Sequence, residues 1–371
     1  MRRIRLLTAG ESHGASLTGI IDGIPAGLEI TPEDFSFDMK RRRSGIGRSK
    51  RMSVENDTVE ILSGVRSGKT TGAPIALKIE NQGLEKSNAV VTIPRPGHAD
   101  YAGARKYALD DIRDVIERAS ARETAMRVAF GVIARIFLSS FDLNIISRPL
   151  RIGEIAFHYE NEIPTSKSLK KEGLESLFDE ASAKYAEMTE SLQSLRKKLE
   201  SSGDTVGGTF QLIAHHVPAG LGSYSQADLR LNVILSSAIM SIPSVKACGF
   251  GIPLNHQIHT GSHYHDEFGL DDKQIVRTTN HAGGIEGGIS NGEPIIINAD
   301  LKPVPTMKAP IQSIDLKTGS LCESRYENAD LWVIEAAGII GEAVISLEIM
   351  DEFLIKFGGD SISEIQTRFH D

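Results

Sequence analysis

SARETAMRVAFGVIARIF, residues 120 to 137, carries the clearest fold signal in the chain. Its Ala121, Ala125, Val128, Ala129, Val132 and Ile136 recur at three- and four-residue steps, the period of one helical face. Ser120 precedes Glu123 by three just before that run, which is a capping box, so the spacing predicts that the helix starts here. A helix-rich stretch of about 104–140 surrounds it. Toward the N-terminus, residues 1–100 alternate short β-type runs with glycine and proline turns, as in GIIDGIPAGLEI, TVEILSGV and GAPIALKIEN. Toward the C-terminus, residues 205–371 mix strands with helices, including HAGGIEGGISNGEPIIINADL and a helix rich in Ala, Ile and Glu. The class is α/β, of the α+β type.

One further segment reads differently. Over 168–202 the positions Leu174, Leu177, Ala181, Tyr185, Met188, Leu192, Leu195 and Leu199 form a heptad-like apolar seam, and Gly203 follows as a stop. This predicts a long amphipathic helix that packs on its own chain and carries no chemistry.

Composition narrows the function. With 371 residues the chain can bury a large core, and 40% hydrophobic with 24% charged residues is ordinary for a soluble globular protein. No apolar run reaches the roughly 18 residues that span a bilayer. The apolar part of MRRIRLLTAGESHG is too short for a signal peptide. Two cysteines, Cys248 and Cys322, make no disulfide framework, and no CxxC or HExxH points to a metal. A reduced, cytoplasmic setting is expected. SGVRSGKTTG resembles a phosphate-binding P-loop only superficially: residue 63 is serine where glycine is required, and APIALKI after it reads as a strand.

The formal charge is −8, yet KRRRSGIGRSKR, residues 40 to 51, holds seven cations in twelve residues. A charge run is most often a solvated face. Here Gly45 and Gly47 argue for a loop that folds round something, and positive charge this concentrated suits a small, highly anionic ligand. The competing class, a nucleic-acid-binding protein using this loop, lacks the aromatic residues on which bases stack. The helix start at Ser120, flanked by Arg118 and Arg122, is a second anion-binding feature. His13 in GESHG and His98 in RPGHAD stand in turns where an imidazole is reachable for acid catalysis. A lone histidine is more often structural; two beside concentrated arginine favour chemistry. KPVPT is a stiff loop that can hold a ligand edge through backbone groups and Lys302. The residues alone therefore describe an enzyme acting on phosphorylated small molecules.

GESHG, KRRRSGIGRSKRM, RPGHADY, ERASARETAMRVAFG and HAGGIEGGISNGEPI, in this order, resemble the chorismate synthase family over nearly the whole chain, outside a variable segment of about 160–204. The resemblance implies a β-α-β sandwich, one domain over 1–371 with helices between two antiparallel sheet layers, assembled as a homotetramer. It implies the elimination of phosphate from 5-enolpyruvylshikimate 3-phosphate to give chorismate, the last step of the shikimate pathway. Reduced FMN is required, and NADPH is a possible flavin reductant, on this chain or through a separate reductase. His13 would protonate the leaving phosphate or hold its charge, and His98 would stabilise the anionic reduced ring. Asp330 would accept the proton that leaves C6 by way of the flavin. Ser12, Arg42, Arg48, Arg51 and Arg122 match substrate-binding positions. FMN-binding positions are Arg42, Arg48, Arg118, Ala119, Ser120, Pro243, Ser244, Gly287, Lys302, Pro303, Val304, Pro305, Thr306 and Asn328. This chain departs from the family pattern in ENADLW: Asn328 replaces an arginine and Trp332 a cysteine, while Pro243 and Ser244 stand where Asn-Ala is usual. Either Arg325 supplies the missing charge, or FMN binds more weakly by roughly 1.5–3 kcal/mol.

Overall fold

The computed structural model describes residues 3–49, 57–81, 89–160, 162–172, 174–252 and 260–370. Two antiparallel sheets form the outer layers. The first takes β1 (Arg5–Ala9), β2 (Ser16–Asp22), β3 (Val59–Ile61) and, after the small hairpin β4 (Val65–Arg66) and β5 (Lys69–Thr70), β6 (Ile75–Glu80), in the order β1-β2-β6-β3. The second takes β7 (Asn144–Ile152), β8 (Ile155–Ala156), β9 (Gly208–His215), β10 (Val245–Phe250) and β15 (Ile295–Leu301), in the order β10-β15-β9-β7-β8. Alternation decides which face is inside: Ile75, Leu77 and Ile79 of β6 are buried, whereas Lys78 and Glu80 point away. The run after SGKTTG is thus a strand, as its sequence predicts.

The helices before the C-terminal region are α1 (Ser36–Arg43), α2 (Asp100–Tyr107), α3 (Arg113–Arg118), α4 (Thr124–Ser139), α5 (Ser166–Glu172), α6 (Leu174–Glu187), α7 (Thr189–Ser202) and α8 (Leu231–Met240). A single turn, α9 (Gly261–Tyr264), precedes the long α10 (Ile334–Phe357). Helices α4 and α10 lie between the sheets, α4 on β2 and β6, α10 on β7 and β9, and each on the other. Sequence periodicity predicts one buried face for α4. Its Met126, Phe130, Ile133 and Phe137 are buried as well, because a sheet covers one side and α10 another, which leaves only a narrow strip with Arg127, Arg135, Ile136 and Ser139 outside the core. Glycine permits the close approaches. A Cβ on Gly131 would lie 2.2 Å from that of Ala343, and one on Gly19 would lie 2.5 Å from the Phe130 ring.

The predicted helix over 168–202 is broken into α5, α6 and α7, and it packs on its own chain. Leu169 and Leu177 cover Ile146, Ile213 and Ile296 on the outer face of the second sheet, while Leu192, Leu195 and Leu199 join the main core. Arg148 of β7 anchors it: the guanidinium lies 4.0 Å from the Tyr159 ring and bonds Glu180 of α6 at 3.3 Å. Gly203 closes α7 at φ +74°, as expected of a glycine stop.

The halves of the frame repeat. β1-β2-β6-β3 has the same order as β7-β9-β15-β10, and the hairpin β4–β5 has its counterpart in β13 (Ile285–Glu286) and β14 (Ile289–Ser290). Pro-Ala-Gly-Leu follows both β2 and β9. In the first copy Thr70 Oγ1 donates to Pro25 O at 2.6 Å and accepts from Leu28 N at 2.9 Å. In the second, Ser290 Oγ does the same to Pro218 O at 2.6 Å and Leu221 N at 2.8 Å.

Candidate active site

A cavity of about 510 Å³ opens where α4 and α10 begin, lined by Ala121, Arg122 and Thr124 from one and Val333, Ala336 and Ala337 from the other. Both helices therefore turn their positive ends toward it. The capping box is only half formed. Ser120 Oγ accepts from Arg122 N at 3.3 Å and starts a 3₁₀ turn, Ala121–Glu123, whereas Glu123 bonds Arg127 one turn later.

The two histidines stand in this cavity, each held by a buried carboxylate. His13 Nδ1 lies 3.0 Å from both carboxyl oxygens of Glu117 at the end of α3, and its main-chain N–H donates to the same group at 2.8 Å. His98 Nδ1 bonds Asp100, the first residue of α2. In both rings this leaves Nε2 to face a ligand. Burial by itself would raise the Asp100 carboxyl, but hydrogen bonds from His98 and Arg95 and the Arg95 charge hold it well below the ordinary carboxylate range. Arg95 also donates to Thr306 Oγ1 at 3.0 Å, tying the RPGHAD turn to the 302–306 loop. Lys302 continues that seam through the Gly97 carbonyl; burial and the nearby Lys246 lower its amine from the ordinary lysine range.

Arginine also lines the cavity. Arg42, from the end of α1, and Arg122 share the enclosed carboxylate of Asp57, and Arg43 approaches it at 3.8 Å. Two guanidiniums on one carboxylate give this wall a positive bias suited to phosphate or carboxylate ligands. Arg48 bonds Asp330 at 2.6 Å, and Ser49 N donates to the other Asp330 oxygen at 2.6 Å. Ser244, also on the cavity, holds φ +74°, a left-handed conformation uncommon for a residue other than glycine, and its carbonyl accepts from Lys302 N at 3.0 Å.

The cavity thus gathers Ser12, His13, Arg42, Arg48, His98, Ala119, Ser120, Arg122, Pro243, Ser244, Lys302, Val304, Pro305, Thr306, Asn328 and Asp330. It does not gather Arg118, Pro303 or Gly287. Arg118 is turned to β1, donating to Gly10 O at 2.9 Å and Thr8 O at 3.0 Å. Gly287 sits in the β13–β14 turn, where a Cβ would meet nothing within 4 Å. Arg51 lies outside the described residues. Arg325 pairs with Glu327, which lines the cavity, and is not itself a lining residue. Sequence reading missed Asp57, Arg95, Asp100 and Glu117. Arg95 and Asp100 flank His98 within the RPGHAD motif and were open to notice; Glu117 and Asp57 carry no local signal.

Comparison with known proteins follows this geometry. A family model described as chorismate synthase matches residues 4–354. The chorismate synthase of Geotalea uraniireducens (strain Rf4) is 41% identical, covering 98% of this chain and 97% of its own length. That of Aquifex aeolicus (strain VF5) is 40% identical, covering 100% and 98%. A crystal structure of a chorismate synthase superposes with a TM-score of 0.80 at 36% identity, over 100% of this chain and 97% of the other.

Proposed function

The chain belongs to the chorismate synthase family, and from that premise we propose that it converts 5-enolpyruvylshikimate 3-phosphate to chorismate and phosphate. The reaction is an anti-1,4-elimination by a carbon–oxygen lyase that requires reduced FMN. The observation that carries the reading is one cavity holding two carboxylate-oriented histidines together with Arg42, Arg48 and Arg122.

The residues fit both ligands. A cavity of 510 Å³ is within the ordinary range for small-molecule sites. Gly97, at φ +81°, brings its backbone to the 302–306 loop so closely that a Cβ would lie 3.3 Å from that of Pro305, which makes a backbone-lined edge for a flat ring. Lys302, Val304, Pro305, Thr306, Ser244 and Asn328 would hold reduced FMN there, and the group, when bound, would supply electron density for the elimination without net redox change. Arg42 and Arg122 hold the anionic substrate and stabilise the charge that localises on phosphate as its C–O bond breaks. His13 Nε2 places a proton at the departing phosphate oxygen. His98, backed by Asp100, places positive charge beside the flavin. Asp330 is the final acceptor of the proton lost from C6. A homotetramer belongs to the same proposal, supported by the exposure of Leu7, Phe268, Leu270 and Ile275.

The test is an anaerobic assay with the substrate and chemically reduced FMN, following chorismate by absorbance. Product that appears only with reduced flavin is expected; folded, FMN-bound protein that makes none overturns the reading. NADPH in place of the chemical reductant shows whether this chain reduces its own flavin. At position 328, Asn328→Arg is expected to tighten FMN by about tenfold or more, the worth of one charged hydrogen bond. Equal affinities in a titration would sink that expectation.

A further inference from the structure

The loop 44–49 carries Arg48 into the cavity, and its peptide groups are bonded on every side. Ile46 N donates to Tyr185 Oη of α6 at 3.2 Å, and Ile46 O accepts from Arg196 Nη1 of α7 at 2.8 Å. Gly47 O accepts from Leu331 N at 2.9 Å. Below the loop, Glu335 Oε1 accepts from Tyr185 Oη at 2.6 Å and from Trp332 Nε1 at 3.1 Å. Glu335 is half-buried as a residue, but its Oε2 is shut off from solvent and has no hydrogen-bond partner among the described residues. The loop lies directly on this floor. A Cβ on Gly47 would be 2.4 Å from the Trp332 ring, and one on Gly45, at φ +124°, would be 3.3 Å from the Glu335 carboxyl.

We propose that Tyr185, Glu335, Trp332 and Arg196 form a clamp by which the helical segment α6–α7 positions the arginine loop, and through it the Arg48–Asp330 pair, at the cavity. They are positioning residues; none of them lines the cavity itself. Glu335 serves as a hydrogen-bond acceptor for Tyr185 and Trp332. Burial pushes its carboxyl above the ordinary range, with the bonds from Tyr185 and Trp332 opposing that rise. Burial, and the Glu335 carboxyl after it, push the Tyr185 hydroxyl up, so it remains a donor.

Trp332 is the one tryptophan in the sequence and is fully buried, which makes it a site-specific reporter of loop seating. Tyr185→Phe removes only the hydroxyl and keeps the ring near Phe157. In the full chain it is expected to leave the thermal midpoint nearly unchanged, raise acrylamide quenching of Trp332 severalfold, and raise KM about tenfold with kcat little altered. Glu335→Gln retains the accepting oxygen and is expected to behave as the parent; Glu335→Ala is expected to follow Tyr185→Phe. Arg196→Gln, on a half-buried residue, gives the same readout should Glu335→Ala not fold. The inference rests on the proposed function only for what Arg48 holds. Quenching is read without substrate, so failure of the assay and failure of the clamp are separate results. Unchanged quenching in Tyr185→Phe and Arg196→Gln overturns the clamp, and a Glu335→Gln variant as damaged as Glu335→Ala overturns the acceptor role of Glu335.

Discussion

His13→Ala is expected to lower turnover by about 10²–10⁴, the usual contribution of a positioned acid. Its Nδ1 is committed to Glu117, which fixes the tautomer and ring orientation, and the remaining nitrogen faces the cavity. Phosphate is a poor leaving group while its bridging oxygen stays unprotonated and its charge unshielded, so the loss falls on kcat. His98→Ala is expected to cost a similar factor through its charge. A purely structural role predicts the reverse: a lower thermal midpoint with near-normal turnover. Measuring both quantities on each variant separates the two. Near-normal rates return the histidine to a structural role.

The second large effect is on stability. Asp57→Asn removes the carboxylate shared by Arg42 and Arg122, whose side chains are each only 4% exposed. Leaving buried guanidiniums without that partner is expected to cost about 3–5 kcal/mol. The same loss frees donors for an outside anion, so inorganic phosphate should restore part of the stability, and more of it in the variant than in the parent, by mass action. Urea unfolding across a phosphate series measures both terms. A cost below about 1 kcal/mol, the scale of an exposed pair, would show that Asp57 does not balance these charges.

Local signals in the sequence proved readable, and long-range pairings did not. The α4 run could be read because its apolar residues repeat at the helical period. That α4 is buried over most of its surface depends on the sheets and α10, whose registers no local pattern encodes. The segment 168–202 was legible as amphipathic helix because its leucines keep a seam. Its division into three pieces, and the reach of Tyr185 and Arg196 to Ile46, follow from contacts some 150 residues apart. The site divides in the same way. His13, His98 and the arginines were visible as unusual residues in turns. Glu117 was not, because a glutamate at the end of an ordinary helix becomes meaningful only when folding sets it 3.0 Å from an imidazole 104 positions away.

The repeated strand order has a consequence for where this protein can change. Relate the halves by a quasi-dyad, and the site draws on matching slots, the starts of α4 and α10 and the residues just after α1 and α8, while a third pair, the connection between the first two major strands of each half, matches in position but not in use. In the first half that last slot is the short β1–β2 turn bearing His13. In the second it is the β7–β9 connection, which holds α5, α6 and α7. Lengthening the first would unseat His13; lengthening the second leaves the cavity lining unchanged. The twin slots have therefore taken different parts, one closed to insertion by its chemistry and the other free to grow until its helices reached across to grip Ile46.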